Sequence, residues 1–115
     1  MSGKHRSRTA ARDRHHAPVF AALGDETRLV LVATLSRGRP RSISQLTAGS
    51  HLTRQAITKH LRVLENAGVV HGMRAGRESL FEFEPGPIQD MKKYLDLVSE
   101  KWDEALSRLK SFVED

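Results

Sequence analysis

Cysteine is absent from this 115-residue chain, and its absence excludes several kinds of chemistry. Without a thiol there is no disulfide, no thiolate metal site, no redox switch and no cysteine nucleophile. Aromatic residues are also scarce, at 5% of the sequence, so a single domain of this length buries only a modest core. A second chain that covered apolar surface would therefore help to stabilise the fold.

Long apolar runs are missing as well. None approaches the roughly 18 residues of a membrane-spanning helix, so we expect no membrane partner. The first 16 residues are polar and basic and lack the apolar stretch of a secretory signal. Together with the lack of cysteine, this predicts a cytoplasmic protein. There is no Gly-rich phosphate loop, and no motif pairs a serine with a base and an orienting acid, so we expect neither an enzyme nor a cofactor.

Acidic residues are scarce in one part of the chain only. Residues 1–80 carry 14 Lys/Arg against 5 Asp/Glu, whereas residues 81–115 carry 5 against 9. Between Arg37 and Arg62 there are six basic residues and no carboxylate. This distribution fits a polyanionic partner such as nucleic acid, although a solvated basic face has the same composition.

Helix signals and helix breakers alternate in the first half of the chain. Pro18 is tolerated in the first turn of a helix that Gly24 ends. Asp25 is a good N-cap for a second helix, and either Ser42 or Ser44 is expected to cap a short third one. The preceding residues 1–16 show no apolar period and are predicted to be a disordered basic arm.

The fourth predicted helix runs from its N-cap Thr53 to Ala67, followed by Gly68 as the left-handed residue that ends helices. Its apolar positions follow the i, i+4, i+7 spacing of one buried stripe, namely Ile57, Leu61 and Leu64. Two short helices joined by a turn that contains glycine form a helix-turn-helix when the second has a polar outer face. The third and fourth helices fit this description.

The period changes to two after Gly68, which predicts one β-hairpin. Residues 69–74 and 80–84 are the expected strands, with a turn at 75–78 and the sequence Pro-Gly-Pro at 85–87 closing the hairpin. From residue 88 to about 113 we expect one long helix, in which apolar residues alternate at spacings of 3 and 4. One small core cannot cover so long a stripe, so part of it is expected to pack on the same helix of a second subunit. A purely intramolecular core helix is the alternative.

The polar face of the fourth helix suits DNA. The major groove is about 12 Å wide and admits one helix, whose first turns reach the base edges. There Gln55 fits adenine, Arg54 fits guanine, and Thr58 fits a base edge or a thymine methyl. Further along the helix, Lys59 and Arg62 are placed for phosphates.

Two other places are predicted to touch DNA. Ser42 is a candidate for a phosphate contact at the start of the third helix. At the hairpin tip, Arg74 and Arg77 suit the backbone or a narrow minor groove, with an ordinary solvated turn as the alternative. The full predicted DNA-binding set is Ser42, Thr53, Arg54, Gln55, Thr58, Lys59, Arg62, Arg74 and Arg77.

Two segments carry a resemblance to a known family. They are residues 23–29 (LGDETRL) and residues 52–70 (LTRQAITKHLRVLENAGVV), of which the run 55–70 is the more specific. Residues 17–113 resemble the ArsR family of winged helix-turn-helix repressors. The resemblance implies a mainly α fold of about five helices and one hairpin, which dimerises through the first and last helices. It also implies a repressor that releases operator DNA when a signal arrives.

The metal sites of this family are not matched. Metal-sensing members carry a Cys-x-Cys pair in the third helix, where this chain has Ser42 and Ser44, and serine is no soft-metal ligand. Other members bind zinc between their last helices through acidic residues and histidine. The terminal helix here has Asp90 and several glutamates but no histidine. The chain therefore resembles the branch without the cysteine site, and we expect no metal.

The sequence thus predicts a homodimeric repressor that binds double-stranded DNA at an inverted-repeat operator, with an unknown inducer. Residues 17–86 are predicted to form the winged helix-turn-helix and residues 87–115 the dimerisation helix of the same domain. The predicted dimer interface consists of Phe20, Met91, Leu95, Val98, Trp102 and Leu109. A metal- or small-molecule-responsive sensor with a ligand site not visible in the sequence is the alternative. A third possibility is a protein-interaction module that uses the long helix.

Overall fold

The computed structural model describes residues 15–114. Within this range five helices surround a small sheet, in agreement with the predicted mainly α winged fold. In chain order the elements are α1 (which includes residues 15–23), α2 (Glu26–Leu35), β1 (Arg41–Ser42), α3 (Ile43–Ala48), α4 (Arg54–Asn66), β2 (Val70–Ala75), β3 (Glu78–Phe83) and α5 (Pro85–Glu114).

The predicted basic arm lies mostly outside the described residues, which begin at residue 15. Its last two residues differ from the prediction, because they belong to α1. There the His16 ring stacks on Tyr94 of α5 with 4.5 Å between the ring centroids. Helix α1 therefore includes residues before Pro18, and this long-range aromatic contact joins them to α5.

Side-chain caps start three of the helices, as their sequences predict. The Asp25 carboxylate accepts a hydrogen bond from the Arg28 backbone N–H at 3.0 Å. The Thr53 hydroxyl accepts one from the backbone N–H of Ala56 at 3.1 Å. For α3 the cap is Ser42 rather than Ser44, and Gln45 returns a hydrogen bond to the Ser42 backbone N–H, which completes a capping box.

The core sits between α4 and the elements around it. Its most deeply buried large side chains are Leu35, Ile57, Leu61, Leu64, Val69 and Val70. The predicted apolar stripe of α4 is confirmed, since all three of its residues are 0% exposed. The chain leaves α4 through Gly68, whose φ of 77° is the left-handed value expected after a helix end.

The sheet has one strand more than the hairpin predicted. Its order is β1-β3-β2, and all pairings are antiparallel. Strand β1 pairs Arg41 with Phe81, but at two residues it is too short to show any alternation in the sequence. The hairpin itself turns through Gly76 and Arg77, with Gly76 at φ 63°, the first central position where a two-residue turn of type II′ favours glycine.

Helix α5 begins at Pro85, three residues earlier than predicted. Both Pro85 and Pro87 fall in the first turn, where a backbone N–H has no partner within the helix and is not needed. The helix has 30 residues, which corresponds to a length of about 45 Å. Among the described helices, none combines the length and apolar character that crossing a bilayer requires.

Only the beginning of α5 packs on its own chain. Ile88 and Met91 lie against the core, yet no residue of α5, which the structure describes completely, is buried. The apolar side chains beyond them are in large part exposed, up to 64% for Trp102 and 83% for Phe112. These exposures do not fit a purely intramolecular core helix. Met91, which was predicted as an interface residue, packs at least partly against the core of its own chain.

Candidate nucleic-acid interface

The orientation of α4 follows from its apolar stripe. Because Ile57, Leu61 and Leu64 are buried, the residues between them on the helix surface point away from the core. Of the predicted DNA-contacting residues in α4, Thr58 is half-buried and the rest are exposed, namely Arg54, Gln55, Lys59 and Arg62. The structure therefore brings these predicted side chains together on one outward face without a carboxylate.

The first turns of α4 form a shallow concave surface lined by residues 53–56, 58 and 59. The Thr53 hydroxyl accepts the capping bond from Ala56 and keeps its own proton free to donate. The Thr58 hydroxyl donates to the Arg54 carbonyl at 2.7 Å, which leaves its methyl and lone pairs for an outside group. Arg54 itself is held by a hydrogen bond of 3.0 Å from Nη1 to the Ser44 hydroxyl.

Ser42 lies elsewhere and conflicts with its predicted phosphate contact. Its residue is only 4% exposed, and its hydroxyl accepts the hydrogen bond that caps α3. A phosphate could not reach this side chain without opening the core next to β1. The polar residue that α3 does expose towards α4 is Ser44, through its contact with Arg54.

The hairpin of β2 and β3, hereafter the wing, carries two exposed arginines near its tip. Arg74 pairs with Ser79 across the hairpin, and Arg77 occupies the turn itself. Both arginines are free of ion pairs with the residues that the structure describes. Their guanidinium groups are therefore available to an anionic partner.

A hydrogen bond connects α4 to the wing. The Glu65 carboxylate, in the last turn of α4, accepts the backbone N–H of Gly72 in β2 at 3.0 Å. Glycine fits closely here, because a Cβ on Gly72 would meet the same carboxylate oxygen at 3.0 Å and the Phe81 ring at 3.3 Å, so a larger residue would shift these side chains by a few tenths of an ångström. This brace was not foreseen from the sequence, where Glu65 merely ends the acid-free stretch.

A second polar contact joins α4 to the start of α2. Arg28 donates from Nε to the Ala22 carbonyl at 2.6 Å and from Nη1 to His60 Nδ1 at 3.3 Å. The carboxylate of Asp25 lies 3.8 Å from the same nitrogen. The hydrogen bond from the Arg28 backbone lowers the pKa of Asp25 below its ordinary value of 3.8, assisted by the charges of Arg28 and His60 and opposed by desolvation. His60 thus joins α4 to the start of α2 through Arg28.

One group of three side chains within residues 15–114 has the composition of a metal site. His71 of β2 faces Glu82 across the hairpin, with Nε2 at 3.7 Å from the carboxylate, and its Nδ1 contacts Glu84. The alternation of β3 puts both glutamates on one face, a signal that was present in the sequence. Each imidazole nitrogen already faces a carboxylate, and all three side chains are about two-fifths exposed. The three side chains contact one another directly, and exposed acidic groups of this kind are common without a metal.

Comparisons with known proteins agree with this geometry. A family described as a helix-turn-helix domain matches residues 23–72. The chain is 37% identical over 81 residues to the uncharacterized HTH-type transcriptional regulator YuzN of Bacillus subtilis, covering 65% of this chain and 88% of that protein.

Solved structures show the same fold. An ArsR-like transcriptional regulator from Rhodococcus sp. RHA1 is 33% identical, with a TM-score of 0.77 over 86% of this chain and 92% of the other. A more distant structure, at 20% identity, is described as the homodimeric winged helix-turn-helix DNA-binding domain of Mb0332 from Mycobacterium bovis. Its TM-score is 0.65 over 82% of this chain and 86% of that one.

Proposed function

Because the chain belongs to the ArsR family of winged helix-turn-helix transcriptional regulators, we propose that it represses transcription as a dimer bound to an inverted-repeat DNA site. The observation that carries this proposal is the outward face of α4. From Arg54 to Arg62 this face is cationic, mostly exposed and free of carboxylates, and the opposite side of the helix is the buried stripe, which is 0% exposed.

In the proposed complex the first turns of α4 enter the major groove. Gln55 is exposed and suits the N6 and N7 atoms of adenine. Arg54 suits O6 and N7 of guanine, and the methyl group of Thr58 suits a thymine methyl. Lys59 and Arg62 lie along the helix towards the phosphates on the groove wall, with Thr53 donating from the helix start.

The wing supplies contacts outside the major groove. Arg74 and Arg77 sit at its exposed tip, and arginine there suits either the phosphates or a narrow minor groove. The hydrogen bond from Gly72 to Glu65 keeps the wing at a set distance from α4. Helix and wing therefore approach one half-site as a single unit.

The proposed dimer forms through α5, supported by α1. Leu95, Trp102 and Leu109 are exposed, and Val98 is half-buried, on a helix that has no buried residue of its own. Phe20 of α1 meets Tyr94 of α5 edge to face, with ring centroids 6.1 Å apart, so the two helices present one continuous apolar surface. The homodimeric state described for the Mb0332 domain supports a homodimer here.

A two-fold dimer determines the form of the operator. Two copies of α4 in successive major grooves on one side of the duplex lie about 34–36 Å apart. Such a dimer recognises two half-sites of opposite direction, so the preferred sequence is an inverted repeat.

The test is selection of bound duplexes from a random pool, followed by affinity measurements with α4 variants. The selected sequences should contain an inverted repeat with a spacing of one helical turn. Gln55→Ala should cost about 1–3 kcal/mol on the selected site and relax the preference at one base pair in each half. The matched control is Asn66→Ala, exposed at the far end of the same helix, which should bind like the parent. Failure to select any sequence, or an unchanged preference at every position in Gln55→Ala, contradicts the proposal.

A further inference from the structure

A cleft of about 340 Å³ lies between α2 and the turn that joins α3 to α4. Its volume falls within the range of about 300–1,000 Å³ that is typical of small-molecule sites. Its apolar lining residues are Val30, Leu31, Leu46, Leu52 and Ile57, and polar or charged residues complete the wall. The proposed DNA contacts of α4 and the wing do not use these side chains.

The cleft contains one cation that the fold leaves without a partner. Arg41 lines it, and the Nε of this arginine is buried without a hydrogen-bond partner among residues 15–114. None of the ion pairs in that range includes Arg41 either. A buried guanidinium donor without an acceptor is costly. The residue stays in place because its backbone is paired with Phe81 in the sheet.

We propose that this cleft binds a small organic acid as its monoanion, with the carboxylate on Arg41 and an apolar body against Val30 and Leu52. A carboxylate is planar and accepts two parallel hydrogen bonds from a guanidinium, one of which would satisfy the orphaned Nε. Arg41 is the only lysine or arginine among the residues that line the cleft, which also include His51, and one permanent positive charge favours a monoanion over phosphate. The exposed carboxylate of Glu26, which also lines the cleft, further disfavours a dianion.

Occupation of the cleft has a consequence for DNA binding that rests on the proposed function. Residues 49–52, the turn of the helix-turn-helix, form part of the wall, so a ligand contacts the segment that orients the start of α4. The bound carboxylate also neutralises one cation of the basic half of the chain. Both effects weaken the complex with DNA, which makes the acid an inducer.

The site is tested on the full-length protein without DNA by titration calorimetry and by amide NMR spectra. The probes are 3-phenylpropanoate, 4-methylpentanoate and octanoate, each against its uncharged amide. At least one acid should bind with one molecule per chain and shift the amide resonances of Leu46 and Gly49. The uncharged carboxamide of that acid should bind at least tenfold more weakly, since it lacks the charge that pairs with Arg41.

Variants at two neighbouring arginines separate a site from general attraction to a basic protein. Arg41→Gln should lose acid binding at least tenfold, whereas Arg39→Gln, which alters an exposed arginine outside the cleft, should bind like the parent. If circular dichroism shows that Arg41→Gln does not fold, the proposal is tested by comparing the affinities of the acid and its carboxamide for the unaltered protein. The proposal is overturned if no acid binds, if acid and amide bind equally, or if a folded Arg41→Gln binds as well as the parent.

The regulatory consequence is measured separately by adding the best acid to the protein–operator complex. The dissociation constant for DNA should rise several-fold in the parent and in Arg39→Gln, but not in Arg41→Gln. An acid that binds the free protein and leaves the affinity for DNA unchanged refutes the inducer role alone. A protein that binds the acid but no DNA refutes the proposed function and leaves the site intact.

Discussion

Replacing Trp102 with alanine is the most direct perturbation of the proposed pairing of α5. The residue is 64% exposed in the single chain. Complete burial of a tryptophan covers up to about 250 Å², so about 160 Å² remains available to a partner. At about 25 cal/mol per Å², covering all of it contributes about 4 kcal/mol per chain. Coverage of half that area contributes about 2 kcal/mol per chain.

A two-fold interface contains the residue twice, so the loss in Trp102→Ala is about 4 kcal/mol for the dimer. This raises the dissociation constant of the dimer about 1,000-fold. Sedimentation velocity over a range of protein concentrations measures that constant. Trp102 is also the only tryptophan in the chain, so its fluorescence in the unaltered protein should shift to the blue as dimers form.

The matched control is Glu104→Ala, which alters an exposed residue about 200° around the helix from Trp102. Its dimer should be as tight as that of the parent. The reasoning is refuted if the parent stays monomeric at the highest concentration reached. A Trp102→Ala dimer that dissociates no more readily than the parent refutes it too.

Three further outcomes are expected. Arg77→Ala should weaken binding to all DNA sequences alike and reduce the slope of log affinity against log salt concentration by about 1; loss on the operator alone would mean that the wing reads bases. Leu61→Ala, at a position that is 0% exposed, should lower the free energy of unfolding by about 2–5 kcal/mol in urea titrations, and a loss below that range would indicate a core that collapses around the gap. The pKa of Asp25 is lowered from 3.8 in the folded protein. The ionised Asp25 side chain therefore contributes fully to the free energy of unfolding above pH 3.8, and this contribution disappears as the pH falls through the lowered pKa. The stability of Asp25→Ala should therefore depend less on pH in this acid range than that of the parent, and parallel curves would contradict the assignment.

The parts of the molecule that the sequence predicts well are those fixed by local spacing. Helix α4 is the clearest case, because its cap Thr53 and its buried stripe all lie within one short segment. The left-handed Gly68 and the glycine-led turn of the wing are local in the same sense, since the backbone conformation itself selects the residue. The fold class and the cationic face follow from these elements together.

The features that the sequence did not predict depend on contacts between distant segments. Ser42 is a plausible phosphate ligand in isolation, and only the pairing of β1 with β3 shows that it is buried. The hydrogen bond from the Gly72 N–H to the Glu65 carboxylate joins the end of α4 to β2. No periodicity in the sequence predicts such a contact. Arg41 is one of six basic residues in an acid-free stretch, and its lack of a partner becomes visible only when the fold places β1 beside α2 and α3.

In α4, the residues that hold the fold differ from the residues that are proposed to determine DNA preference. The inner side of this helix packs in the core and its last turn bonds to the wing. Among the described residues, Gln55, Lys59 and Arg62 make no side-chain hydrogen bond or ion pair, and Arg54 makes one hydrogen bond, to Ser44. On the proposed function, gene duplicates of such a regulator can therefore exchange these four side chains and acquire new target promoters at little cost in stability. A library restricted to these positions, with Glu65 and the inner stripe kept, is a practical starting point for directing the protein to chosen promoters.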